Sequence, residues 1–260
     1  MKFLKKSLGQ NFLIDKNIIN KIINSSVIKN RDIVEIGPGE GALTKEILKR
    51  KPKSLILIEK DNFLSNNLKK DYLENKLVKI VNNDILKFNL ESVLKKNSLI
   101  IGNLPYNVSS QILVKILKFK NWPPKFKDLI FMFQKELGDK IIGKYLSPFY
   151  GRLSIITNYR LKIINSFLVS RNCFFPKPKV TSQVIHFQPI KKAGVKIRNI
   201  ENLEKITNII FSNKRKMINK NIKKIINTKK IKKISGLDLN LRPTDLKPDL
   251  FYKITKLYEN

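Results

Sequence analysis

The chain has 260 residues, 42% of them hydrophobic, and carries 53 Lys and Arg against 20 Asp and Glu, a formal charge of +33. That suits one large domain, or a large one beside a small one, and makes a polyanion the expected partner, with lysine drift in an AT-rich genome as the competing source of charge. A single cysteine, Cys173, excludes an intrachain disulfide, no histidine cluster accompanies it to hold a metal, and no apolar run is long enough to cross a membrane, so a reducing, cytoplasmic setting without a signal peptide is expected.

Residues 2–14 read as a basic arm that runs into Gly9-Gln10-Asn11-Phe12-Leu13, a lid folded over a ligand. Asp15 is placed to cap a helix whose Ile18, Ile19, Ile22 and Ile23 form an apolar stripe. Asp32 to Gly37 is a strand, and Pro38-Gly39-Glu40-Gly41 a glycine-rich turn into a helix with Leu43, Ile47 and Leu48 on one face. The G-x-G-x-G spacing differs from the G-x-G-x-x-G of dinucleotide binders. A carboxylate at Glu40 repels a pyrophosphate but is harmless beside a phosphate-free sulfonium; a tight turn without a ligand is the alternative.

The strand Ser54–Glu59 closes on an acid about 20 residues past the first glycine, where a carboxylate holds ribose hydroxyls. Capping the next helix is the plainer role for it. The strand Leu77–Val81 ends at Asn82-Asn83-Asp84, where Asp84 either accepts from an adenine amino group or serves the turn. A fourth strand, Ser98–Ile101, stops in Gly102-Asn103-Leu104-Pro105-Tyr106-Asn107, with Ser109 and Ser110 as candidate caps of a helix carrying Ile112, Leu113, Ile116 and Leu117. An adenine amino group is a poor nucleophile because its lone pair is delocalised into the ring. Asn103 Oδ1 and the Leu104 carbonyl are acceptors of the kind that engage its N–H groups, and Tyr106 offers a ring for an extruded base, worth roughly 1–3 kcal/mol of stacking. An ordinary strand-to-helix turn is the alternative.

Asp128–Gln134, Lys162–Ser170 and Gln183–Gln188 add three strands, Lys135–Ile142 a helix, and Tyr150-Gly151-Arg152-Leu153-Ser154 opens another. Arg152 is either a surface charge or a phosphate contact. Pro176 and Pro178 stiffen the stretch Arg171–Ser182, so that Phe174 and Phe175 are presented among lysines in a manner suited to single-stranded nucleic acid, with one of the two rings assigned to the core. His186 reads as structural, because this chemistry needs no imidazole. Beyond a linker from Pro189 to Gly194 the apolar spacing is helical, and no acid occurs from Lys205 through Leu237, an electrostatic footprint for nucleic acid. Strands that end in polar residues and lead into helices predict an α/β protein with a mostly parallel, doubly wound seven-stranded sheet in residues 1–188, followed by a small helical, basic, RNA-binding domain in 189–260.

Gly9–Leu13, Glu35-Ile-Gly-Pro-Gly39 with Gly41-Ala-Leu-Thr44, Asn103–Tyr106, Tyr150–Ser154 and Phe174-x-Pro-x-Pro-Lys-Val-x-Ser182 together resemble the small-subunit ribosomal RNA adenine N6,N6-dimethyltransferases, nearly end to end. The resemblance implies a class I (Rossmann-like) methyltransferase fold, S-adenosylmethionine as donor, and transfer of four methyl groups to two adjacent adenosines in the hairpin near the 3′ end of small-subunit rRNA. The implied partners are that rRNA and the immature small subunit, with no metal and no membrane, the chain acting as a monomer. Carried over by motif, Asn11, Leu13, Gly37, Glu59, Asp84 and Asn103 look like the cofactor set. Asn103, Leu104 and Tyr106 look like the target-amine site, with Phe174 as the second face of an aromatic clamp. Two departures stand out: Glu40 where an apolar residue is common, and lysine for much of the arginine around Phe211–Met217, which keeps charge but loses bidentate phosphate geometry. A large-subunit adenine methyltransferase of the antibiotic-resistance type, and an assembly factor with little catalysis, are the alternatives.

Overall fold

The computed structural model describes residues 11–231 and 234–260, so the basic arm as far as Gly9-Gln10, and Lys232-Lys233, lie outside the described residues. In chain order the elements are β1 (Phe12–Leu13), α1 (Lys16–Ile23), β2 (Asp32–Ile36), α2 (Ala42–Lys49), β3 (Ser54–Glu59), α3 (Asn62–Asp71), β4 (Val78–Asn82), α4 (Leu90–Val93), β5 (Ser98–Asn103), α5 (Ser109–Leu117), β6 (Phe126–Gln134), α6 (Lys135–Ile142), α7 (Arg152–Arg160), β7 (Leu161–Val169), β8 (Phe174–Phe175), β9 (Ser182–Pro189), α8 (Ile200–Ile210), α9 (Asn219–Lys223), α10 (Thr228–Ile231) and α11 (Pro248–Tyr258). No helix among the described residues is long and apolar enough to cross a membrane.

Seven strands form one sheet in the order β4-β3-β2-β5-β6-β9-β7. The first five pair in parallel, and β9 joins β6 antiparallel with His186 opposite Ile130 and Ser182 opposite Gln134. Central strands read as unbroken apolar runs because helices cover both faces: Leu99, Ile100 and Ile101 are all fully buried. One face packs on Ile19, Ile22 and Ile23 of α1 and on Leu43 and Ile47 of α2. Asp15 caps α1 as expected, accepting from Ile18 N at 2.9 Å. Ser109 does not cap α5; it is the first helical residue, Val108 precedes it, and its hydroxyl donates to the Tyr106 carbonyl at 3.1 Å.

The strand predicted to stop at Ile101 continues two residues further, so Asn103 is its last member. Gly102 makes that possible. A Cβ there would stand 2.5 Å from the Ile36 carbonyl and 3.0 Å from Leu104 Cδ2. Backbone cannot yield as a side-chain tip can, so Gly102→Ala should force β5 from β2. The expected loss is about 1–3 kcal/mol of stability, read by thermal melting, with methyl transfer lost in the same variant as Asn103 shifts.

The chain divides into two compact units, one running to Gly138 and resuming over Ile163–Pro189, the other made of Asp139–Lys162 and Ile190–Asn260. The sequence places a single break at 188/189; an amphipathic pattern at 139–162 does not reveal which core it joins. In the second unit Phe211 stacks on Phe251 at 5.5 Å among Leu203, Ile206, Ile210 and Ile254. Tyr150 Oη donates to the Leu246 carbonyl at 2.8 Å, and the Glu259 carboxylate accepts from Arg198 N and Asn199 N and from Asn202 Nδ2. These bonds tie α7, α8 and α11 together.

Candidate active site at the carboxyl ends of the strands

In open α/β sheets ligands bind where the strands end, and here a cavity of about 260 Å³ opens at the ends of β2, β3 and β5. Asn11, Leu13, Gly37, Glu59 and Asn103 from the expected cofactor set line it, as do Leu104 and Tyr106. Asp84 and Phe174 are not among its lining residues.

The turn after β2 needs its glycines. Gly37, Gly39 and Gly41 have φ of +66°, +59° and +78°, a region that side chains disfavour. A Cβ on Gly39 would lie 2.9 Å from the Phe12 ring, so β1 covers the turn closely. Glu59 staples the turn from the next strand: Oε2 accepts from Gly39 N at 3.1 Å and Oε1 from Asp61 N at 2.9 Å. Each oxygen keeps a second lone pair for a hydroxyl donor. Burial raises the Glu59 pKa against these hydrogen bonds.

Asn103 joins lid to sheet. Its Nδ2 donates to the Asn11 carbonyl at 3.0 Å, which orients the amide and leaves Oδ1 on its other edge. Leu104 follows, and no described donor occupies its carbonyl. The Tyr106 hydroxyl is bonded to Ser182 Oγ at 2.6 Å, and burial raises its pKa. Asp84 sits one strand over, paired with Lys60 Nζ at 2.9 Å and accepting from Leu86 N; the Lys60 contact, then the Leu86 bond, hold its carboxyl below the usual range.

Phe174 is opposite Leu13 in the short β1–β8 ladder and is 3% exposed, whereas Phe175, pointing the other way, is 59% exposed. One ring is therefore core, as the loop composition suggested, and it is the ring that the resemblance assigns to the clamp. Arg152 is the first residue of α7. His186 is buried against Asp128, which stands near the amino end of β6, and neither residue lines the cavity.

Glu35, named above only as the first residue of a motif and given no role there, also lines the cavity, and a charge within Ile33-Val34-Glu35-Ile36 is its visible signal. It is 1% exposed, accepts from Thr44 Oγ1 at 2.7 Å, and burial pushes its pKa up to about 8 against that bond, with the Glu59 charge adding to the rise. A raised carboxyl binds its proton in the folded state where the unfolded chain has lost it. Its stabilising contribution is therefore full below the unfolded pKa, about 4.3, and falls as pH rises towards 8. Glu35→Gln keeps an acceptor for Thr44 and abolishes the titration; its urea midpoint without cofactor should stay flatter than wild type between pH 5 and 8.

The Glu59 carboxyl on a glycine turn, with Glu40 beside it, suits a cationic, hydroxyl-bearing ligand and disfavours phosphate, so the cavity fits a sulfonium nucleoside. The sheet order and this site define a class I methyltransferase. The family model for ribosomal RNA adenine dimethylase matches residues 1–260, and the chain belongs to that family. It is 43% identical over 260 residues to ribosomal RNA small subunit methyltransferase A of Pelagibacter ubique (strain HTCC1062), covering 98% of this chain and 97% of that one. To the protein of the same name from Malacoplasma penetrans (strain HF-2) it is 39% identical over 257 residues, covering 97% and 91%. Among solved structures, a dimethyladenosine transferase from Plasmodium falciparum superposes with a TM-score of 0.78 at 27% identity, over 94% and 95% of the two chains. The 23S rRNA methyltransferase ErmE shares the fold, with a TM-score of 0.71 at 20% identity over 96% and 100%. Family and fold together imply S-adenosylmethionine as the methyl donor.

Proposed function

We propose that this enzyme dimethylates N6 of two adjacent adenosines in the 3′-terminal hairpin of small-subunit (16S) rRNA during assembly of the small ribosomal subunit. The observation that carries the reading is the meeting, in one cavity, of the Glu59-stapled glycine turn with Asn103, Leu104 and Tyr106. The names of the relatives supply the RNA.

When bound, S-adenosylmethionine supplies an electrophilic methyl group on a positive sulfur. Gly37 would let the backbone approach that ligand, Asn11 and Leu13 would cover it, Glu59 would accept from its ribose hydroxyls, and Asp84 would accept from its adenine amine. The target adenosine is taken out of its stack, and its base lies on the Tyr106 ring. Asn103 Oδ1 and the Leu104 carbonyl accept the two N–H groups of the first substrate, aiming the nitrogen lone pair at the methyl carbon. Positioning is the main source of rate; as the nitrogen gained the methyl group the carbon–sulfur bond would break to leave a neutral thioether, and the proton on the now positive nitrogen would leave to solvent. For Phe174 to provide a second stacking face, its ring must leave the core when the base enters.

The helical, basic residues 189–260 bind rRNA phosphates in this reading, the chain acts as a monomer in the cytoplasm, and the reaction uses no metal. Incubation with labelled donor and immature small subunits, followed by mapping of the label, tests it. Two adjacent dimethylated adenosines in the 3′-terminal hairpin are expected. Label elsewhere in the RNA, or none with intact cofactor binding, would overturn it, as would label on large subunits alone when both subunits are offered together.

A further inference from the structure

Ser182 closes the proline-stiffened motif at Phe174-x-Pro-x-Pro-Lys-Val-x-Ser182, yet nothing in the reaction above uses it. It is 0% exposed and is the first residue of β9, held opposite Gln134 at the carboxyl end of β6. Its neighbour Thr181 accepts from Lys135 N at 2.9 Å, which fixes the start of β9 against the sheet. Tyr106, by contrast, belongs to a turn that no strand pairs with. That turn is held at its backbone by Val108 N donating to the Pro105 carbonyl at 3.2 Å and by Ser109 Oγ donating to the Tyr106 carbonyl at 3.1 Å. Neither bond touches the ring.

Resting on the function proposed above, we infer that Ser182 is a positioning residue that fixes the plane of the Tyr106 ring, and with it the face on which the target base stacks. The hydrogen bond between Tyr106 Oη and Ser182 Oγ, 2.6 Å long, anchors the far end of a side chain whose near end is fixed by the turn. A phenol hydroxyl prefers its partner in the plane of its own ring, so the bond restrains both swing and tilt. The anchor stands on a sheet strand rather than a loop, which is what holds a reacting group within a fraction of an ångström. Ser182 does not line the cavity, so its effect on the cofactor is nil and its effect on the target base passes through Tyr106 alone.

Single-turnover methyl transfer into immature small subunits, at saturating donor and subunit, compares Ser182→Ala, Tyr106→Phe and the double variant. Each single change should slow transfer about tenfold, the upper end for one neutral hydrogen bond, with an unchanged cofactor dissociation constant. The double variant should be no slower than either single one, and Ser182→Thr, which keeps a hydroxyl, should recover most of the rate. Multiplied losses in the double variant, weakened cofactor binding in Ser182→Ala, or wild-type rates in both singles would overturn the assignment. Tyr106→Phe leaves β9 intact, so a normal rate there overturns it even if Ser182→Ala fails to fold. A fluorinated tyrosine placed at position 106 reads the tether without substrate: its ¹⁹F resonance should change on Ser182→Ala, and an unchanged line refutes the inference. Wild-type protein that transfers no methyl group to the subunits counts instead against the proposed reaction, and the fluorine readout still decides the tether.

Discussion

Asn103→Ala is expected to lower turnover by about a hundredfold, the scale seen when one group that stabilises a transition state is removed. The structure adds a second effect. Because Asn103 Nδ2 donates to the Asn11 carbonyl at 3.0 Å, alanine also releases the lid segment, and cofactor affinity should fall severalfold rather than stay intact. Asn103→Asp separates the two roles: it retains an acceptor for the target amine but sets a carboxylate against the Asn11 carbonyl, so its defect should lie more in cofactor binding. Calorimetric titration with the donor, alongside single-turnover transfer, distinguishes them. Normal turnover in the alanine variant would remove Asn103 from the chemistry.

The largest expected loss of stability lies at the other end of the sheet. Asp128, near the amino end of β6, accepts from His186 Nε2 at 2.7 Å and Gln188 Nε2 at 2.8 Å through one oxygen; the other takes Ser26 Oγ at 3.0 Å and the Arg31 guanidinium at 2.7 Å. Burial by itself would raise the carboxyl pKa, but the bonds from His186, Gln188 and Arg31 outweigh it and hold the group well below the usual range. Asp128→Ala strands a mostly buried guanidinium, and removing one partner of such a pair costs about 3–5 kcal/mol, roughly 10 °C in melting temperature for a unit of this size. With the folded pKa depressed, this contribution is complete above the unfolded value of about 3.9 and disappears as pH falls through the folded one. Wild type should therefore lose stability steeply below about pH 4, and the variant should lose less there. Methyl transfer at low temperature should be nearly unchanged, since no residue of this cluster lines the cavity.

Strands with strong apolar runs were legible from the chain alone. Ser54–Glu59 matches β3 residue for residue, and Lys135–Ile142 matches α6. Leu77–Val81 is displaced by one position, because an exposed strand with an alternating pattern marks its ends weakly. The two-residue strands β1 and β8 carry no period, and only their pairing, Phe12 with Phe175 and Leu13 with Phe174, makes them strands. The same pairing decides which phenylalanine is buried, a fact that the adjacent letters Phe-Phe cannot hold. Gly37, Glu59 and Asn103 were visible because turn chemistry and strand ends are local. The bonds from Asn103 to Asn11 and from Tyr106 to Ser182 span 92 and 76 residues, beyond any local pattern.

The stretch from Lys205 to Leu237 without one acid sets the thermodynamics of its own unit. Isoleucines 206, 210, 218, 222, 226, 231 and 234 hold those helices together from inside, while the like charges of this stretch repel one another with no acid among them in the sequence. Such a body is strained by its own field, and dissolved salt relieves that strain only between charges more than a Debye length apart, about 8 Å at physiological ionic strength. A bound polyanion relieves it more fully, and by linkage whatever binds only the folded form raises its melting point. On the function proposed above, this part of the molecule should reach its greatest stability with rRNA bound and be least secure when newly made and alone.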